Sequence, residues 1–209
     1  MLHKLFLVTS LTLLLAACQE GRGYDIARDS IELQRKANEE TALGIAEGNN
    51  ERLEKAKLLI EQSLEADPGN HFALINRAQI AIYQGNYELA LSTVEKAYDI
   101  TPSNDYLPLF RCMLIEEVKN ESAKECYAEV EESYADLHGA GKEIPANWVG
   151  AAILGDSYAA SELIETYLEQ EAAKGELAGH IAETTISSLV DGSYVDQVLM
   201  REYGQAPRG

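Results

Sequence analysis

Positive charge is scarce in this sequence: 17 lysines and arginines face 35 aspartates and glutamates, a net charge of −18 over 209 residues. A nucleic-acid surface needs a basic patch to neutralise phosphates, and no stretch here supplies one, so nucleic acid is not an expected partner. Also missing is an apolar run of the roughly 20 residues that a spanning helix requires. The longest, Leu5 to Leu15, is softened by Thr9, Ser10 and Thr12. Sequence motifs of catalysis are lacking as well, with no G-x-S-x-G elbow, no H-E-x-x-H, no phosphate loop and no calcium loop. Histidine occurs only at His3, His71, His138 and His180, and no ligand-like spacing joins these to the cysteines. Asp191, Ser193 and Asp196 are only faintly like a metal loop. Acid pairs such as Glu39-Glu40 and Glu131-Glu132 are what a solvated helix surface looks like. The expectation is therefore a protein without metal, cofactor or catalytic residues.

What is present begins with Met1-Leu2-His3-Lys4, an apolar stretch of about 11 residues, and Leu15-Ala16-Ala17-Cys18. The last four residues resemble the lipobox of bacterial lipoproteins. That resemblance implies that residues 1–17 are a signal peptide and that Cys18 is the lipidated first residue of the mature chain. Several acyl chains anchor stably where one is marginal. Gln19, in place of the aspartate associated with inner-membrane retention, implies an outer-membrane anchor facing the periplasm. The alternative is an ordinary signal peptide followed by a coincidental cysteine. Loss of residues 1–17 removes one lysine and no acid, so the charge moves from −18 to −19. Residues 18–28, with two glycines and little apolar periodicity, read as a tether, and Asp29 or Ser30 is placed to cap a helix starting at Ile31. In an oxidising compartment Cys112 and Cys126 form a candidate disulfide. They stand about equally far from the turn expected at Lys119-Asn120. The other possibility is two reduced cysteines used as small core residues.

Self-similarity organises the next hundred residues. Pro68 and Pro102 lie 34 residues apart, as do Ala56 and Ala90, and Gly44 and Ala78. The two prolines close similar runs, Leu64-Glu65-Ala66-Asp67-Pro68 and Tyr98-Asp99-Ile100-Thr101-Pro102. This pattern resembles the tetratricopeptide repeat, a helix-turn-helix of 34 residues. The unit from His71 to Asn104 carries it best, with Ala78 and Ala90 as close-approach residues and Gly85-Asn86 at the turn. In the unit from Ala37 to Asn70, Ser63 stands where the repeat usually has alanine. A third unit from Asp105 is degenerate, with Cys112 at the small position. The fold class expected is all-α, an antiparallel helix-hairpin solenoid of such repeats over 29–138. A C-terminal helical region, 139–203, would cap it, and 204–209 would form a tail. Within the cap, helices are expected at Ala146–Leu154, around Ala160–Leu168, at Leu177–Val190 and at Tyr194–Tyr203.

The family resemblance also implies where a ligand would lie. First-helix positions that line the concave groove of such repeats correspond here to Phe72, Ile75, Gln79, Ile82 and Tyr83. In the next unit they correspond to Tyr106, Leu109, Met113, Glu116 and Glu117, and in the earlier one to Asn38, Thr41 and Ile45. Several are large and apolar, as a partner-binding patch would be. Two arrangements fit this composition, an open groove or one covered by the C-terminal helices. The resemblance implies a membrane-tethered adaptor or assembly factor that binds a protein or peptide partner, with acidity suiting a basic one. An immunity lipoprotein that neutralises an envelope-targeted toxin is the alternative, and a hydrolase on a helical scaffold a more distant third. The oligomeric state is left open by the sequence.

Overall fold

The computed structural model describes residues 28–138 and 143–201. The signal segment, Cys18 and most of the tether, like the tail at 204–209, fall outside the described residues. Among those described the chain is all-α, with no strand, and its helices pack in consecutive pairs. It divides into two compact units, Met1–Arg77 and Ala78–Gly209.

In the first unit, residues 28–47 form α1 and Asn50–Ala66 form α2. Gly48, at φ 62°, takes the left-handed conformation that ends α1. Asn49 then caps α2, its side chain accepting from the amides of Glu51 and Arg52 at 3.0 and 3.3 Å. The two helices run antiparallel, for the start of α1 meets the end of α2 at Ser30 and Ser63, while Gly44 lies over Leu53. A Cβ on Gly44 would come within 2.7 Å of Leu53 Cδ2, so a larger residue here would require the Leu53 side chain to shift. On the outer side Glu40 accepts from Arg52 at 2.9 Å and Lys55 at 2.6 Å. Those two cations, Lys55 foremost, hold its carboxyl below the usual carboxylate range.

Ser30 is not the helix cap expected from the sequence, because residues 28–30 are already helical. Its position is dictated by a buried polar cluster instead. Ser30 Oγ donates to the Ser63 carbonyl and Ser63 Oγ donates to the Ser30 carbonyl, both at 2.9 Å. With both hydroxyl protons spent, the two oxygens accept from Asn70 Nδ2 at 2.9 and 3.1 Å. All three residues are buried. This explains the departure from alanine at position 63, since the hydroxyl there ties the ends of α1 and α2 to the turn at Asp67-Pro68-Gly69-Asn70. Asn70 Oδ1 accepts from the Ala73 amide at 3.2 Å and so starts α3, His71–Tyr83, which begins in this unit.

The second unit contains the end of α3, then α4 (Tyr87–Ile100), α5 (Leu107–Lys119), α6 (Lys124–His138), α7 (Ala146–Leu154), α8 (Ala160–Lys174), α9 (Glu176–Asp191) and α10 (Ser193–Val198). Gly85, at φ 70°, and Asn86, which accepts from the Leu89 amide, make the turn into α4. The small residues Ala78 and Ala90 are both completely buried. Pro108 sits in the first turn of α5, where its missing N–H costs nothing, and Asn120 ends that helix in the left-handed region. α4 packs on α5, α6 on α7 and α8 on α9, with α7 also against α8 and α9. One core joins Leu109, Cys112 and Met113 of α5 to Tyr127, Val130 and Tyr134 of α6 and Ala151 of α7. A second joins Ile144, Val149, Ala152, Leu163, Tyr167 and Ala182. The last helix is shorter than the expected Tyr194–Tyr203 stretch, ending at Val198.

Ser63→Ala tests the polar cluster. The repeat pattern taken alone makes alanine neutral or favourable there, by a few tenths of a kcal/mol of helix propensity. The structure instead predicts a loss of about 1–2 kcal/mol, because a buried Asn70 N–H loses its acceptor. Urea unfolding measures this, and an unchanged or raised midpoint contradicts the assignment.

Candidate functional site

The groove residues expected from the sequence do not share one environment. In the first unit Phe72 is exposed, Ile75 is half-buried and Thr41 is buried, donating its hydroxyl to the Ala37 carbonyl at 2.8 Å. In the second unit Gln79 and Tyr83 are half-buried, but Ile82, Leu109 and Met113 are only 2% exposed. The expectation that Leu109 and Met113 line an open face is therefore corrected, because they are core.

They share that core with α6 and α7, and the C-terminal segment packs against it. Tyr194, Val195 and Val198 of α10 pack against the core that contains Leu109 and Met113, and Leu199 is completely buried. Polar contacts finish the closure. Tyr87 Oη donates to the Leu199 carbonyl at 3.3 Å, and Arg201 pairs with Glu117 and, at 2.7 Å, with Asp196. Glu116 accepts from Tyr127 Oη at 2.9 Å. Tyr106 stacks on Phe110 with ring centres 5.0 Å apart, and burial pushes its phenol well above the ordinary tyrosine range. The physical reason is that large apolar groups at positions 109 and 113 are unfavourable in water and are removed from it by packing with α6, α7 and the apolar side chains of α10. Asp191 and Asp196, which had a faint likeness to a metal loop, are used locally: Asp191 accepts from the Ser193 amide at 2.9 Å and Asp196 binds Arg201.

An open concavity exists elsewhere in the second unit. A cleft of about 610 Å³ lies between the end of α4, the connection at Pro102–Asp105, the start of α5 and the length of α6. Its walls are largely apolar and aromatic, with Tyr98, Pro102, Pro108, Val130 and Tyr134, its charged groups are Asp105, Arg111 and Glu129, and His138 also lines it. Local structure holds each in place. Tyr134 Oη donates to the Asp105 carbonyl, which also accepts from Asn147 Nδ2 at 3.0 Å, so the connection is tied to α6 and α7. Burial, followed by the charge of Asp105, pushes the Tyr134 phenol up to about 12. Behind it Trp148 stacks in near-parallel fashion, centres 6.5 Å apart, with His138 against both rings.

A disulfide forms one edge of the cleft. Cys112, fully buried on α5, is bonded to Cys126 on α6, with Cα atoms 5.6 Å apart. Arg111 donates to Cys126 Sγ at 3.6 Å and reaches Glu95 on α4 at 3.6 Å, spanning the helices beside the cleft. Chemically, the cleft offers an aromatic wall, two exposed carboxylates and a cation already matched by Glu95. No hydrogen bond joins His138 to Asp105 or Glu129, and the described residues contain no group of three or more metal-ligating side chains. Sequence reasoning missed this cleft. The signal available was the polar Ser103-Asn104-Asp105 connection, longer than the Gly-Asn turn before it, flanked by Tyr98 and Tyr134.

Burial of Tyr106, Tyr127 and Tyr134 carries a pH consequence. Burial raises all three phenols in the folded state, Glu116 adding to the rise at Tyr127. A raised folded-state value means that their contribution to stability is complete below about pH 10, the unfolded tyrosine value, and is lost as pH rises toward the folded values. The protein should therefore unfold at alkaline pH, with phenolate absorbance from these residues appearing together with loss of helix signal. Complete tyrosine ionisation near pH 10 in a still-helical protein contradicts their burial.

No protein-family model, no curated protein and no solved structure matches this chain.

Proposed function

We propose that this protein is a non-catalytic binding module, lipid-anchored through Cys18 to the outer membrane and facing the periplasm, that holds a protein partner as an adaptor or assembly factor. Supporting the anchor is the Leu15-Ala16-Ala17-Cys18 sequence. Supporting the scaffold is the likeness of residues 37–104 to tetratricopeptide repeats, together with helices packed in consecutive pairs. The observation that carries the binding role is the cleft at Tyr98, Pro102, Pro108 and Tyr134. It is an aromatic-walled concavity of about 610 Å³ on rigid helices, cross-linked by the disulfide at its edge. Pockets of this kind, with few polar groups on apolar walls, are where ligands bury most of their surface. The partner site in this reading moves from the predicted groove to the cleft, since the α5 face that would have formed the groove is filled.

Site-specific photo-crosslinking in intact cells tests this. A crosslinking residue at Ser103 or Ser133, both exposed on the cleft rim, should give a discrete protein adduct in the membrane fraction. The same residue at Ala173, exposed on α8, should not. Adding Tyr98→Ala should reduce rim adducts severalfold, consistent with the roughly 1–3 kcal/mol that an aromatic anchor supplies. Adducts that are absent from the rim, or equally abundant from Ala173, overturn the assignment.

A further inference from the structure

The chemistry of the cleft narrows what it receives, on the reading that it is the partner site. Its one arginine does not make it an anion site. Arg111 is matched by Glu95 at 3.6 Å and shares its remaining contact with a disulfide sulfur, so the ion pair is close to neutral toward a ligand. Asp105 and Glu129 both line the cleft, both are exposed, and neither carboxylate forms an ion pair among the described residues. A ligand entering here meets two carboxylates that have no ion-pair partner among the described residues, against aromatic walls. An anion is repelled, whereas a purely apolar group leaves the carboxylates to be desolvated without a partner, which costs free energy.

The group that satisfies both features is a cation on a long apolar stem. We infer that the cleft receives a basic peptide segment of the partner, with an arginine or lysine side chain directed to Asp105 and Glu129 and neighbouring apolar side chains against Tyr98, Pro102 and Pro108. Tyrosine faces attract guanidinium and ammonium groups. The aliphatic stems of arginine and lysine bury against such walls while the charged head stays at the wet rim. A volume of about 610 Å³ suits a few side chains of a peptide segment. The charge of the whole chain, −18, acts in the same direction, raising the encounter rate of a basic partner and disfavouring acidic ones.

The test uses the full-length protein in detergent micelles and three fluorescein-labelled pentapeptides: Arg-Leu-Lys-Phe-Arg, its glutamine analogue Gln-Leu-Gln-Phe-Gln, and its acidic analogue Glu-Leu-Glu-Phe-Glu. Anisotropy titrations should rank the basic peptide first. Asp105→Asn with Glu129→Gln should weaken it roughly five- to tenfold, as expected for two partly exposed ion pairs. Glu165→Gln with Glu169→Gln, which removes the same charge from the exposed surface of α8, should change it by less than about twofold. Raising the salt concentration should bring the wild type and the cleft variant together. The inference falls if the cleft variant binds like the wild type, if the α8 variant loses as much, or if the acidic peptide binds as well. Tyr98→Ala separates this failure from a failure of the site itself. Should the glutamine peptide bind as well as the basic one, and lose binding on Tyr98→Ala, the cleft remains the site and its preference for a basic partner is wrong. If no peptide responds to Tyr98→Ala, the cleft is not the site.

Discussion

The apolar face of α5 has to be covered, and in the second unit the chain covers it with its own end. Leu109 and Met113 belong to a core shared with α6 and α7, and Tyr194, Val195 and Val198 of the short α10 pack against that core. A buried side chain of this size contributes about 1.5–3 kcal/mol. Even partial burial of the three residues of α10 is thus a sizeable share of the roughly 5–15 kcal/mol that holds a domain folded. The ion pairs of Arg201 with Glu117 and Asp196 lie at the edge of this contact and add little by comparison, since they are partly exposed. The apolar contact decides the arrangement.

Two consequences follow for function. Of the positions that the repeat resemblance marks for ligands, Leu109 and Met113 on α5 are buried and act as structural groups. The open surface lies where α4 ends and the connection at residues 102–105 meets α5 and α6. The disulfide contributes here in a second way. Its closed loop of about 15 residues stabilises by about 3 kcal/mol in the chain-entropy model, and it ties α5 to α6, both of which line the cleft.

The helices and their turns were legible from the sequence because their signals are local. Gly85-Asn86 and Asp67-Pro68-Gly69 act through backbone preferences within a few residues, and Ala78 and Ala90 mark close approach by size alone. The environment of the cysteine pair was approachable for the same reason, since both stand near one turn. What escaped was partner choice over distance. The sequence left open whether the C-terminal helices cover the groove positions, because nothing in the periodicity of residues 194–199 names the core containing Leu109 and Met113, more than eighty positions earlier, as the surface they meet. Ser63 looked like a lapse from the repeat because its partners, Ser30 and Asn70, lie 33 and 7 positions away. The cleft arises from helix ends and a connection, where apolar periodicity carries no information.

The dependence of the second unit on its C-terminal cover is most directly tested by replacing Tyr194, Val195 and Val198 together with alanine and following thermal unfolding and amide exchange. The triple variant should lose about 1–3 kcal/mol, less than the loss from truncating fully buried side chains because all three are half-buried, and the amides of α5 should lose protection ahead of those of α2. A variant that unfolds at the wild-type temperature with α5 fully protected would contradict the account, and would return Leu109 and Met113 to the candidate binding surface.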